Sequence, residues 1–101
     1  MPRDAREVRH SFLLSEIAEE HSASLSRIGG RFQRALERCA DLLAQLDARS
    51  HGADRDHLLE EYRAARRESQ RLRRDYSIQR QAIGLHDLSY VDAYYPHPPA
   101  R

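Results

Sequence analysis

The chain has 101 residues, which is one domain's worth of sequence, and its 17 basic and 16 acidic side chains nearly cancel. Apolar runs such as Phe12-Leu13-Leu14 stop at three residues, far below the ~20 a membrane span needs. The single cysteine, Cys39, excludes an intramolecular disulfide framework and any Cys-rich zinc module.

All 17 basic residues are arginine, a side chain that pairs bidentately with carboxylates and stacks on aromatic faces. The segment Met1 to His10 is basic but also holds Asp4 and Glu7. Ser11 to His21 then carries Glu16, Glu19 and Glu20, where a secretory leader would place an apolar core. A cytoplasmic protein is expected.

Leu14, Ile17, His21, Leu25, Ile28, Phe32, Ala35, Cys39, Leu42 and Leu46 recur at spacings of three and four. That is the apolar stripe of a helix, close to a heptad seam, and it predicts a helix over 5–47. Gly29-Gly30 falls inside it, at ~1 kcal/mol per glycine relative to Ala. The pair calls for a kink, for a second helix packed closely against bare backbone, or for a break into two helices.

Residues 48–54 have turn chemistry, with Gly52 suited to a left-handed conformation and Asp54 to an N-cap. A second helix is predicted over 55–83. Its stripe, Leu58, Tyr62, Ala65, Ser69, Leu72, Tyr76, Gln79 and Ile83, is thinner and holds small or polar residues. Gly84 is placed to end it. Asp87 can cap a short helix over 87–95, and Pro96, Pro98 and Pro99 force an extended tail over 96–101.

The expected fold is therefore all-α: a single domain built on a long antiparallel αα-hairpin, with a short C-terminal helix and a Pro-rich tail. Pairing outward from a turn near His51 sets Ile83 opposite Glu19. Leu85, Leu88, Val91 and the tail tyrosines are then expected to cover Phe12 to Ile17. Leu13, Leu36 and Leu43 widen the first stripe beyond what one thin helix can cover. A homodimer forming a helical bundle would cover it, along a seam of Leu14, Ile17, His21, Leu25, Ile28 and Phe32, with another helical protein as the alternative partner. A His21 pair in that seam would make association sensitive to pH near the imidazole pKa.

Few residues suggest chemistry. His51, Asp54, Asp56 and His57 cluster at the turn, but their spacing matches no established metal site. Cys39 is a seam residue, and no Gly-rich phosphate loop or Ser/His/Asp arrangement accompanies it. Neither an enzyme nor a cofactor is expected. The densest charge feature is the window Tyr62 to Arg80, with seven arginines against Glu68 and Asp75, a net of +5. Arg66, Arg73 and Arg80 recur every seven residues along one helical edge, a pattern that can track a nucleic-acid or other polyanion backbone. The sequence pI of about 8.0 is low for a dedicated nucleic-acid module. Tyr90, Tyr94, Tyr95, Pro96 and Pro98 form the other candidate, a Tyr/Pro segment able to dock on another protein. The favoured expectation is a non-catalytic interaction or adaptor protein, with polyanion binding as the alternative.

Some of these residues also resemble a short, uncharacterised α-helical family of alphaproteobacteria. The resemblance rests on Glu16-Ile17, on Ser24-Leu25-Ser26-Arg27-Ile28-Gly29-Gly30, and on Ile78-Gln79-Arg80-Gln81-Ala82-Ile83-Gly84-Leu85. Asp87, Val91, Tyr94 or Tyr95, and Pro96 extend it. Tyr95 and Pro96 are adjacent here, where the family pattern has a short gap. The resemblance implies an all-α fold and no known activity.

Overall fold

The computed structural model describes the backbone of residues 5–49 and 51–101, and the side chains of 20, 22–49 and 51–101. Two long helices, α1 (Ala5–Asp47) and α2 (Ala53–Ala82), lie antiparallel, and a six-residue helix, α3 (Ser89–Tyr94), follows them. The fold is an all-α helical hairpin. Its principal extents of 74 × 21 × 15 Å are those of a long helix pair one helix thick.

The two stripes meet as helical periodicity requires. Near the turn, Cys39, Leu42 and Leu46 of α1 pack against Leu58, Tyr62 and Ala65 of α2. Further along, Phe32 and Leu36 pack against Leu72 and Tyr76. Ser69 sits between the two clusters, fully buried, and satisfies its hydroxyl by donating to the Arg66 carbonyl at 2.7 Å. This back-bond lets a polar residue occupy a seam position without an unpaired donor.

α1 runs unbroken through Gly29-Gly30. The reason for Gly29 is close approach, since a Cβ there would lie 3.1 Å from Tyr76 Cε2. Gly29 facing Tyr76 also fixes the register. Seven residues outward on each helix, Ile83 comes level with Ser22, not with Glu19, because the turn is centred nearer Gly52 than His51. Gly52 itself takes φ +119°, a conformation open to glycine alone, and forms the N-cap of α2. Asp54 is therefore not the cap: it lies inside the first turn with Asp56, where carboxylates complement the helix dipole.

The expected cover over Phe12 to Ile17 is corrected in part. Leu85 and Leu88 are exposed, whereas Val91 is buried among Phe32, Leu36, Leu72 and Tyr76, with Tyr95 packed beside them. The side chains of Phe12 to Ile17 lie outside the described residues. So do those of Leu14, Ile17 and His21 in the expected dimer seam, and with them the His21 pair. Of the rest of that seam, Phe32 is 0% exposed within the single chain, and Leu25 and Ile28 are half-buried against the same cluster. Phe32 is thus a core residue of the hairpin and presents no face to a second copy.

Candidate functional site

The C-terminal segment is turned back on the hairpin by a glycine stop. Gly84 takes φ +91°, its N–H donates to the Gln81 carbonyl at 3.0 Å, and the Leu85 N–H donates to the Arg80 carbonyl at 2.8 Å. These two bonds make a Schellman motif, which satisfies the last carbonyls of α2 and reverses the chain. Asp87 then accepts from the Ser89 N–H at 3.0 Å and the Ser89 hydroxyl at 2.6 Å. Those bonds hold its carboxyl below the usual range. α3 starts at Ser89, two residues later than the sequence suggests, and its N-cap is Leu88 with no side-chain cap bond, not Asp87. Tyr95 ends the segment stacked on Phe32, with ring centroids 4.8 Å apart, and meets Tyr76 edge-on at 5.4 Å.

From Tyr95 the tail runs back along α2 toward the turn. Proline has no N–H, so an extended Pro-rich strand presents mainly carbonyl acceptors. Arginine offers only donors, and α2 lines them up against that strand. Arg73 Nη2 donates to the carbonyls of Tyr95 (2.9 Å) and Pro96 (2.6 Å), and Arg66 Nε donates to that of Pro98 (3.0 Å). The Tyr62 hydroxyl donates to the Pro99 carbonyl at 2.5 Å, and Arg63 Nε to the main-chain oxygen of Arg101 at 2.9 Å. The lengths match: Arg63 to Arg73 spans ~15 Å of helix, and six residues, the length of Pro96 to Arg101, span about 16 Å at the rise of a polyproline II strand. At the ends, Arg101 comes within 3.7 Å of Asp47, and His97 Nε2 within 3.0 Å of Asp92.

The arginine edge therefore faces the chain's own tail. Arg66 and Arg73 hold carbonyl oxygens, and Arg80, only 9% exposed, lies 4.4 Å from the Tyr90 ring centroid as a cation–π pair. Sequence reading missed Tyr62 and Arg63 as anchors. Their signal was a seam tyrosine with a polar tip, next to an arginine, on the same helix as the seven-residue arginine repeat.

Beneath the tail, Pro96, Pro98 and Pro99 roof a cavity of about 160 Å³ whose floor includes Leu36, Cys39 and Leu43. The tail thus lies over Leu36 and Leu43, two of the three residues that widen the first stripe; the third, Leu13, lies outside the described residues. Burial pushes the Cys39 thiol up, away from the thiolate a nucleophile needs. Among the described residues, no three His, Cys, Asp or Glu side chains converge on a metal position. His57 Nε2 lies 2.8 Å from Glu61, and Asp54 comes within 3.9 Å of Arg49.

The five Tyr/Pro candidates divide. Tyr95 and Pro98 are half-buried on the hairpin, and Pro96 is bound through its carbonyl. Tyr90 and Tyr94 stay exposed, Tyr94 at 70%, with ring centroids 4.6 Å apart. They flank a groove of about 410 Å³ against the Gln33 to Ala40 stretch of α1.

The buried phenols set an alkaline limit. Burial, then the Tyr76 hydroxyl, push Tyr95 up to about 12, and burial raises Tyr62 in the same direction. Tyr95 must stay protonated to pack, so its stabilisation is complete below the ordinary phenol pKa of 10.0 and is lost as pH rises from there through about 12. That of Tyr62 is likewise lost as pH rises above the ordinary value. The urea midpoint is expected to fall across pH 10–12, and Tyr95→Phe to flatten that fall. An equal slope in the variant would place the Tyr95 phenol in water.

No family model, curated protein or solved structure matches this chain.

Proposed function

We propose that this chain is a non-catalytic interaction protein, acting in the cytoplasm as a homodimer whose outer surface recruits a further protein. The observation that carries the reading is the mismatch of its helices: α1 has 43 residues and α2 has 30. With Ile83 level with Ser22, residues 5–21 of α1 continue about 25 Å past the end of α2. The apolar period of the sequence, Leu14 and Ile17, continues along that extension. A second copy laid antiparallel on it would cover both extensions through one two-fold interface. The exposed Tyr90 and Tyr94 then remain as the surface for a different protein. Raised thiol basicity at Cys39 and the use of Arg66, Arg73 and Arg80 within the chain weigh against catalysis and against a phosphate-tracking edge.

Light scattering coupled to size exclusion tests this directly. A dimer is expected at both low and high salt, and Ile17→Asp is expected to give a monomer that keeps the helicity and the thermal transition of the hairpin. A wild-type monomer at both salts would overturn the homodimer.

A further inference from the structure

We infer that the groove occupied by residues 96–101 is a receptor for proline-rich, polyproline-II segments of other polypeptides, and that the tail is its built-in competitor. This goes beyond the dimer proposed above and does not depend on it.

The chemistry of the occupant can be read from the contacts. Every hydrogen bond that α2 makes to the tail strand beyond Tyr95 ends on a main-chain oxygen: the carbonyls of Pro96, Pro98 and Pro99, and the oxygen of the last residue, Arg101. The donors are Arg73, Arg66, Tyr62 and Arg63, spread along one face of a helix. Such a row recognises any strand that offers carbonyls at polyproline-II spacing with few competing N–H groups, which is a proline-rich segment. A strand with a full set of N–H groups would leave donors facing donors. The floor is apolar at Leu36, Cys39, Ala40 and Leu43, and the Tyr62 ring completes it, which suits pyrrolidine rings.

The resident tail is held lightly enough to be displaced. Of residues 96–101, only Pro98 is half-buried and the others are exposed. Its release breaks hydrogen bonds to main-chain oxygens and opens the small cavity, which shares only Leu36 with the buried residues of the Phe32–Tyr76–Val91 cluster upstream. Local opening of such a segment lies at the low end of a protein's stability range. A segment in trans must compete with a tail tethered at an effective concentration in the millimolar range, so weakening the tail raises the apparent affinity of the competitor.

The test uses the full-length chain, labelled with ¹⁵N, and an unlabelled peptide copying residues 94–101. Excess peptide is expected to move the amide signals of His97, Ala100 and Arg101 to their free-strand positions while the signals of α1 and α2 keep their helical shifts. In the full-length variant Pro98→Gly/Pro99→Gly, with its tail weakened, the peptide midpoint is expected to fall roughly tenfold. Arg66→Gln added to that variant is expected to reverse the gain. The proposal is overturned if millimolar peptide displaces nothing in either protein, or if a peptide with Gly at its three proline positions displaces the tail equally well. Tail-to-groove cross-peaks between labelled and unlabelled copies, without peptide, would instead make the groove a site of tail exchange between copies and overturn it too.

Discussion

Phe32→Ala is expected to lower the stability of the hairpin by about 3–5 kcal/mol, the usual cost of emptying a buried phenylalanine site. The ring is fully enclosed and is shared by three elements. Tyr76 of α2 lies 5.9 Å from it, Tyr95 at the end of α3 stacks on it at 4.8 Å, and the Arg73 guanidinium sits 5.0 Å from its centroid. Removing it therefore takes away aromatic and cation–π contacts as well as buried area. The tail loses its fixed starting point at the same time, because Tyr95 no longer has a platform and Arg73 no longer has a ring to lie against. Urea unfolding followed by circular dichroism should show the lower midpoint. Amide exchange at Val91 and Tyr95 should rise more than exchange at Leu46 and Leu58, which belong to the separate cluster near the turn. Leu85→Ala and Leu88→Ala provide the contrast, since both side chains are exposed and each change should stay within about 0.5 kcal/mol. A loss below 1 kcal/mol for Phe32→Ala would mean that α3 and Tyr95 do not pack on α1 in solution.

The hairpin was legible because helical periodicity is a local property. Leu42 and Leu46 on one stripe and Leu58 and Tyr62 on the other could only face each other across a turn at Gly52. Gly84 was legible for the same reason, as a glycine immediately after the last periodic residue. The path of the tail was not, because its direction depends on the φ of one glycine and on which donors meet its carbonyls. A seven-residue repeat of arginine reports that Arg66 and Arg73 share an edge. It does not distinguish phosphate oxygens from carbonyl oxygens, since both are acceptors that a guanidinium satisfies. Likewise the width of the first stripe correctly required something to cover Leu36 and Leu43. Six residues of the same chain do so, where sequence reasoning supplied a second molecule and enlisted the enclosed Phe32 in its seam.

The adjacent glycines of α1 should respond to substitution with opposite signs. At Gly29 even a methyl group would press on Tyr76 Cε2 at 3.1 Å. The Tyr76 ring cannot easily give way, being packed against Phe32 and Tyr95 with the Arg80 guanidinium 5.9 Å from its centroid. Gly29→Val adds two further carbons at that point and is expected to cost about 1–3 kcal/mol by overpacking, despite removing a glycine from a helix interior. At Gly30 an added Cβ meets only the end of the Arg34 side chain, at 3.4 Å, and that end is free to move. Gly30→Ala is therefore expected to stabilise the hairpin by up to ~1 kcal/mol, the propensity difference between the two residues. Thermal melting of the two variants beside the wild type decides the matter. If Gly29→Val melts at or above the wild-type temperature, α1 and α2 do not approach closely at Gly29. The register that sets Ile83 level with Ser22, and with it the extension of α1 past the end of α2, would then have to shift.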